Sequence, residues 1–130
     1  MNARSLARLK RADSRLERLF IEAAKRPPIE FEVSETLRTK LRQRELVAVG
    51  ASWTMNSRHL AHLDTGRSMA VDIFCLVGGK VRWDWPLYIT LAAHVKQVAL
   101  ELDLAIMWGG DWKGRRRDGP HYELSRQVYP

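Results

Sequence analysis

The strongest constraint on the fold is a short apolar run at residues 69–77, MAVDIFCLV, which ends at Gly78-Gly79. A short run rich in β-branched and aromatic residues predicts a strand. The two glycines predict a hairpin turn, with residues 80–83 as the return strand. Asp72 is the only charge in the run. A carboxylate inside an apolar strand costs free energy unless it is paired or binds a cation, so Asp72 is a candidate ligand. An aspartate on the solvent face of the strand is the alternative.

The N-terminal third of the chain shows helical spacing, then alternation, then helical spacing again. Apolar residues at three- and four-residue steps predict a helix over residues 3–25, which forms the N-terminal segment 1–26 of the domain. Pro27-Pro28 ends this helix. Alternation at residues 29–33 predicts a half-buried strand. Ser34 is a candidate N-cap of a second helix that runs to about residue 48. Its inward-facing residues would be Leu37, Leu41 and Val47.

The C-terminal half combines one long helix with short strands. Asp84 can cap a helix over residues 86–103, with Pro86 in its first turn. Residues 104–108 and 121–124 read as strands, and the segments at 50–68 and 111–120 are polar loops. The elements do not alternate as βαβ units, so the sequence predicts one α+β domain over residues 1–130 with a largely antiparallel sheet.

Composition excludes several classes of protein. The only cysteine, Cys75, rules out an internal disulfide and a cysteine-cluster metal site, and its apolar neighbours predict burial. No apolar run is long enough to span a membrane, and the N-terminus lacks the apolar core of a secretory signal. The net charge of +7 favours anionic partners. No nucleic-acid-binding motif accompanies this charge.

Two histidines and one carboxylate suffice for a catalytic zinc site with one open position. Asp72 has histidine neighbours in the preceding loop, at His59 and His62, and His121 opens the last predicted strand. The residues alone leave open whether these side chains converge, and whether His59 or His62 is the ligand.

Several motifs, in order along the chain, resemble a family of zinc peptidases. That family includes D-Ala-D-Ala dipeptidases and carboxypeptidases and the phage L-alanyl-D-glutamate endopeptidases, and its signature is SxHxxGxAxD. The matching segments are SRHL at 57–60, Gly66, AVD at 70–72, WDWPLY at 83–88, WGGDW at 108–112 and DGPHYEL at 118–124, with weaker matches at FEV 31–33, Glu35, LRT 37–39 and RQ 42–43. The resemblance runs from about residue 27 to the C-terminus.

The resemblance implies a Hedgehog/DD-peptidase-like fold and a role for each site residue. His59, Asp72 and His121 would hold Zn²⁺, Asp118 would be the general base, and Arg38 would stabilise the developing oxyanion. Twelve residues separate His59 from Asp72, more than is usual in the family, so residues 61–69 read as an insertion. This insertion keeps His62 as a competitor of His59. A second departure is Thr36, next to the Leu-Arg pair, where relatives often have glycine.

By the same resemblance, the chain would be an endolysin that cleaves the peptide stem of bacterial peptidoglycan between L-Ala and D-Glu. The domain would then be catalytic, monomeric and without a separate wall-binding domain, and its charge would attract it to the anionic envelope. It would wait in the host cytoplasm and reach the wall through a membrane pore. The alternatives are a D,D- or L,D-carboxypeptidase of the same fold and a non-enzymatic basic module that binds envelope or nucleic acid.

Overall fold

The computed structural model describes residues 1–130 as an α+β fold with four helices and five strands. The helices are α1 (Ala3–Leu9), α2 (Ser14–Ala23), α3 (Lys40–Ala48) and α4 (Trp85–Glu101). The strands are β1 (Glu30–Glu35), β2 (Ala70–Val77), β3 (Lys80–Arg82), β4 (Ile106–Trp108) and β5 (His121–Leu124). Two short 3₁₀ turns, Gly109–Asp111 and Gly114–Arg116, lie between β4 and β5.

The sheet is antiparallel throughout, in the order β1-β2-β5-β4, and β3 pairs with the far end of β2. Strand β2 is central, and its register determines which side chains meet. Asp72 lies opposite His121 on β5 and opposite Glu35 on β1. Directly opposed residues on neighbouring strands point to the same face, so the register brings these three side chains together.

The core lies where α2 and α4 pack against the sheet. Phe20 of α2 contacts Tyr122 of β5 and Phe31 of β1, each edge to face. These rings belong to one cluster of 21 buried residues drawn from helices and strands alike. Cys75 is fully buried in this cluster, as predicted. Val71, Ile73 and Cys75 thus bury one face of β2 in the core, and Asp72 lies on the opposite, half-buried face.

Strand β2, its Gly78-Gly79 hairpin, helix α4 and strand β5 confirm the sequence-based predictions to within a few residues. These elements have strong local signals: an apolar run, a glycine pair and a proline in the first turn. None of the four helices combines the length and the apolar character that a membrane crossing needs.

The prediction of a single N-terminal helix is wrong, because the segment forms α1 and α2 with a break at residues 10–13. Asp13 caps α2 by accepting a hydrogen bond from the Arg15 backbone N–H. The Asp13 N–H donates to the carbonyl of Ser68 at 2.8 Å, and Ala12 forms a bridge with the same residue. Contact with a distant loop therefore interrupts a segment whose local pattern is helical throughout.

The predicted helix from Ser34 is also wrong at its start. Ser34 lies within β1, which continues to Glu35 because Glu35 pairs with Asp72, and α3 begins only after its N-cap, Thr39. Leu41 does not face inward: it is 62% exposed, whereas Gln43 is fully buried. Helix α3 is thus held by a buried polar side chain rather than by an apolar stripe.

Candidate metal centre

The side chains of His59, Asp72 and His121 converge on one point. Asp72 Oδ1 lies 3.0 Å from His59 Nε2 and 3.0 Å from His121 Nδ1, and the two nitrogens are 3.2 Å apart. Tetrahedral ligands at about 2.0–2.1 Å from a zinc ion stand about 3.3 Å from one another. The observed spacing is close to this value, so the group can bind a metal ion.

The tautomers of the two rings follow from their second hydrogen bonds. His59 Nδ1 lies 2.7 Å from the Thr36 carbonyl oxygen, which only accepts, so this nitrogen carries the proton. His121 Nε2 lies 2.8 Å from a carboxylate oxygen of Glu123 and donates to it. In the neutral rings, His59 Nε2 and His121 Nδ1 then present lone pairs toward the Asp72 carboxylate. Three lone pairs that face one another without a proton between them suit a cation.

At neutral pH the metal-free group holds a proton on His121 in the place of a cation. Burial alone would lower the pKa of His121, but hydrogen bonds to Asp72 and Glu123 outweigh it and raise the pKa to about 9. Burial opposes the charge on Asp72, yet the two histidines hold the pKa of its carboxyl far below its ordinary value. Asp72 is therefore ionised at neutral pH, and His121 must release a proton to bind a metal.

The backbone around His59 holds it at the metal centre despite the extra residues that follow. The Arg38 N–H donates to the His59 carbonyl at 2.8 Å, and the Met69 N–H donates to the Arg58 carbonyl at 2.7 Å. Residues 61–68 form a small loop that closes on itself through the Ala61–Ser68 bridge. The insertion therefore projects outward and leaves His59 beside Asp72.

His62 lies outside the group, within this small loop. Its Nε2 is 3.0 Å from the Pro130 carbonyl oxygen. His59, in contrast, is buried with only 1% exposure. The structure thus brings His59 rather than His62 together with Asp72 and His121.

Asp118 lines the same cavity as His59, Asp72 and His121. Burial raises the pKa of its carboxyl, and the negative charge of Asp72 raises it further. The Asp118 backbone N–H donates to the Gly109 carbonyl at 2.9 Å, which ties the residue to the 3₁₀ turn after β4. A half-buried carboxyl with a raised pKa beside a candidate metal site can take up and release a proton.

Arg38 is fixed beside the metal centre by two partners. Its Nε and Nη2 donate to the two oxygens of Glu35 at 2.7 and 2.8 Å, and Nη1 donates to Gln43 Oε1 at 2.8 Å. Nη2 also lies 3.8 Å from Asp72 Oδ2. The guanidinium therefore contributes a fixed positive charge at the edge of the site.

Sequence reasoning missed three residues that hold the site: Glu35, Gln43 and Glu123. Glu123 could have been found, because residues two apart on a strand share a face and His121 is its i−2 neighbour. Glu35 matches the family motif, but no role was assigned to it. Gln43 gives no local signal, since its partners Arg38, Ser52 and Thr54 reach it only in the folded chain.

The centre lies in a cavity of about 640 Å³ that the two polar loops border. Trp112 packs against the ring of His121 with centroids 4.9 Å apart, and Trp53 packs edge to face on Trp112 at 6.3 Å. The tryptophans thus form one wall of the cavity, next to the candidate ligand His121. A cavity of this size can admit several residues of a peptide.

Known proteins resemble this chain over most of its length. A family model described as phage L-alanyl-D-glutamate peptidase matches residues 1–129. An L-alanyl-D-glutamate peptidase of Listeria phage A118 is 39% identical over 101 residues, which is 78% of this chain and 32% of the relative. The chain therefore spans about a third of that relative's length. The crystal structure of Serratia marcescens L-Ala D-Glu endopeptidase ChiX matches with a TM-score of 0.89 and 38% identity, over 100% of this chain and 92% of that chain.

Proposed function

Since the chain belongs to the phage L-alanyl-D-glutamate peptidase family, we propose that it is a zinc-dependent peptidoglycan hydrolase that cleaves the stem peptide between L-Ala and D-Glu. One observation carries the proposal: the lone pairs of His59, Asp72 and His121 converge in the cavity that the half-buried carboxyl of Asp118 also lines. Two nitrogens and one oxygen are the ligand set of a hydrolytic zinc site that keeps a position open.

The three ligands would hold the zinc ion, and two further groups keep the histidines in place. The Thr36 carbonyl accepts a hydrogen bond from the outer N–H of His59, and the Glu123 carboxylate accepts one from the outer N–H of His121. Outer partners of this kind fix ring orientation and raise ligand basicity. A bound zinc ion supplies Lewis acidity, which lowers the pKa of water from about 15.7 toward about 7 and polarises a carbonyl.

Asp118 is the proposed general base. Its carboxylate accepts a proton from the attacking water and later gives it to the amine that leaves when the peptide bond breaks. A pKa raised by burial suits both steps, because the group must bind the proton and then release it. The fixed backbone contact with Gly109 keeps the carboxylate at the cavity wall.

Arg38 is the proposed charge partner of the carbonyl oxygen. Peptide hydrolysis builds negative charge on that oxygen, and a positive charge already fixed in place stabilises it without reorganisation. Glu35 and Gln43 occupy donors on the outer side of the guanidinium and so limit its movement. Arg38 therefore acts through its position as much as through its charge.

The proposed substrate explains the basic character of the chain. A net charge of +7 attracts the protein to an anionic bacterial envelope. The proposed place of action is the cell wall, which a phage lysin reaches from the host cytoplasm through a membrane pore. A monomer suffices, because all the proposed site residues come from one chain.

Zinc binding and wall lysis test the proposal together. The purified protein should bind about one zinc ion and clear a suspension of cell walls, and a chelator should abolish lysis until zinc is restored. His121→Ala should lose both zinc and lysis. His62→Ala is the matched control and should keep both, because His62 lies outside the group. Undiminished lysis by the chelated protein would contradict the zinc mechanism.

A further inference from the structure

Three consecutive arginines, Arg115, Arg116 and Arg117, line the cavity of the metal centre. None of them takes part in the ion pairs that the chain forms. The three other arginines of the lining are engaged. Glu35 and Gln43 bind Arg38, the carbonyls of Leu124 and Tyr129 bind Arg58, and the Asn56 carbonyl and Glu123 bind Arg126. The run at 115–117 thus adds three guanidinium groups without an ion-pair partner to the lining of the cavity.

Aromatic rings hold two of these arginines at the cavity. The guanidinium carbon of Arg116 lies 4.3 Å from the ring centroid of Trp53, and that of Arg117 lies 4.3 Å from the centroid of Trp85. Trp53 in turn packs on Trp112, which packs on the metal ligand His121. Stacking over a ring face restrains a guanidinium while leaving its N–H groups free to donate in the ring plane.

The acidic groups of the cavity do not neutralise this run. Glu35 binds Arg38, Asp72 contacts the two histidines, and Glu123 accepts from His121. Asp118 is half-buried and forms no ion pair with the run, and its pKa is raised. The arginine run therefore gives one side of the cavity an uncompensated positive charge.

We propose that Arg115, Arg116 and Arg117 form a carboxylate-binding wall that takes the free carboxylates of an acidic stem peptide and so sets its position against the metal centre. The inference rests on the proposed function, which it deepens. In a stem peptide, D-glutamate continues the chain through its side-chain carboxyl and leaves its α-carboxylate free next to the scissile bond. Guanidinium groups bind carboxylates through paired N–H donors.

The location of the arginines favours a peptide over an anionic wall polymer. A polymer would be attracted by charge anywhere on the surface, whereas these three residues share a cavity with the proposed base and ligands. The experiment distinguishes the stem peptide from the wall polymer, because a soluble stem peptide carries no wall polymer for the arginines to bind.

The test compares matched soluble stem peptides with and without their carboxylates. One peptide has all carboxylates free. In a second, the α-carboxylate of D-glutamate is amidated, and in a third, the side-chain carboxylate of the third residue is amidated. The protein variant is Arg115→Gln/Arg116→Gln/Arg117→Gln. The control is Arg4→Gln/Arg18→Gln/Arg44→Gln, which removes the same charge from exposed positions outside the cavity.

The zinc-loaded wild type should cleave the free acid with a kcat/KM roughly ten- to a hundredfold above that of at least one amidated peptide, mainly through KM. In the triple variant, kcat/KM should fall on the free acid and stay unchanged on the amidated peptide that the wild type disfavours. The preference for the free acid is then lost. The control should behave as the wild type does. The amidated peptide that the wild type disfavours identifies the carboxylate that the wall binds.

Three results would overturn the wall: no preference in the wild type, an equal loss on all peptides in the triple variant, or a loss confined to intact cell walls. The last result would assign the arginines to envelope attraction. If the wild type cleaves no peptide, the proposed function has failed. Calorimetry of the same peptides with zinc-loaded protein then tests the carboxylate-binding wall separately. The wild type should bind the free acid more tightly than the amidated peptide, and the triple variant should not.

Discussion

Nε2 of His121 lies 2.8 Å from Oε1 of Glu123, while Nδ1 of the same ring lies 3.0 Å from Asp72. Both carboxylates are shielded from solvent, and they contact the two different nitrogens of one imidazole. Glu123 thus orients the ring and determines which nitrogen keeps its proton. We therefore expect the proposed metal centre to depend on a residue outside the proposed ligand set.

Replacing Glu123 should weaken zinc binding without removing a ligand. Glu123→Ala should lower zinc affinity about 10–100-fold, because the outer hydrogen bond of His121 is lost. Glu123→Gln keeps an acceptor and should show a smaller loss. Competition with a chromophoric chelator measures both, with Glu101→Gln on exposed α4 surface as the control. Unchanged affinity in Glu123→Ala would show that the contact does not support the metal.

Replacing Asp118 should separate chemistry from metal binding. Asp118→Asn should keep zinc, since Asp118 is not in the ligand group, and should lower the rate of hydrolysis about 10²–10⁴-fold. Metal content and turbidity assays measure the two properties. Asp111→Asn is the control, because Asp111 is an exposed aspartate paired with Lys96. Full lysis by Asp118→Asn would exclude it as the base.

Zinc affinity should rise with pH up to about pH 9. The pKa of His121 is raised to about 9 in the metal-free protein, so below that pH the ring holds a proton that zinc must displace. Asp72 stays ionised because its pKa is lowered, so it adds no pH dependence near neutrality. We expect the zinc affinity to rise roughly tenfold per pH unit between about pH 6.5 and about pH 9. A flat profile in titrations across this range would contradict the prediction.

Gly109 should be needed for the position of the proposed base. A Cβ atom at Gly109 would collide with the backbone carbonyl oxygen of Asp118 and would lie 3.0 Å from the Cβ of His121. Gly109→Ala should therefore displace Asp118, lower hydrolysis and cost about 1–3 kcal/mol of folding free energy. Thermal unfolding and cell-wall assays measure these effects. Wild-type activity in this variant would show that Asp118 tolerates the shift.

The sequence predicted best those elements whose signals are local. The apolar run of β2, the Gly78-Gly79 turn and the proline at the start of α4 each specify structure over a few neighbouring residues. The start of α3 was missed because Glu35 pairs with Asp72, which is distant along the chain. The break between α1 and α2 was missed for the same reason, since its partner is Ser68.

The site residues also divide into those with a local signal in the sequence and those that depend on distant partners. Asp72 stood out as a charge in an apolar strand, but the sequence alone did not decide between His59 and His62. That choice depends on the outward path of residues 61–68 and on the Thr36 carbonyl that orients His59. Gln43 was missed because α3 has no apolar face to mark its buried side.

The central claim is tested most directly by mass spectrometry of peptidoglycan fragments digested with the zinc-loaded protein. Cleavage between L-Ala and D-Glu should produce muropeptides that end in L-Ala, together with released peptides that begin with D-Glu, and none of these should form with the chelated protein. Release of single D-amino acids from intact stems would instead assign the chain to the carboxypeptidases, and no change in the fragments would contradict a peptidase function.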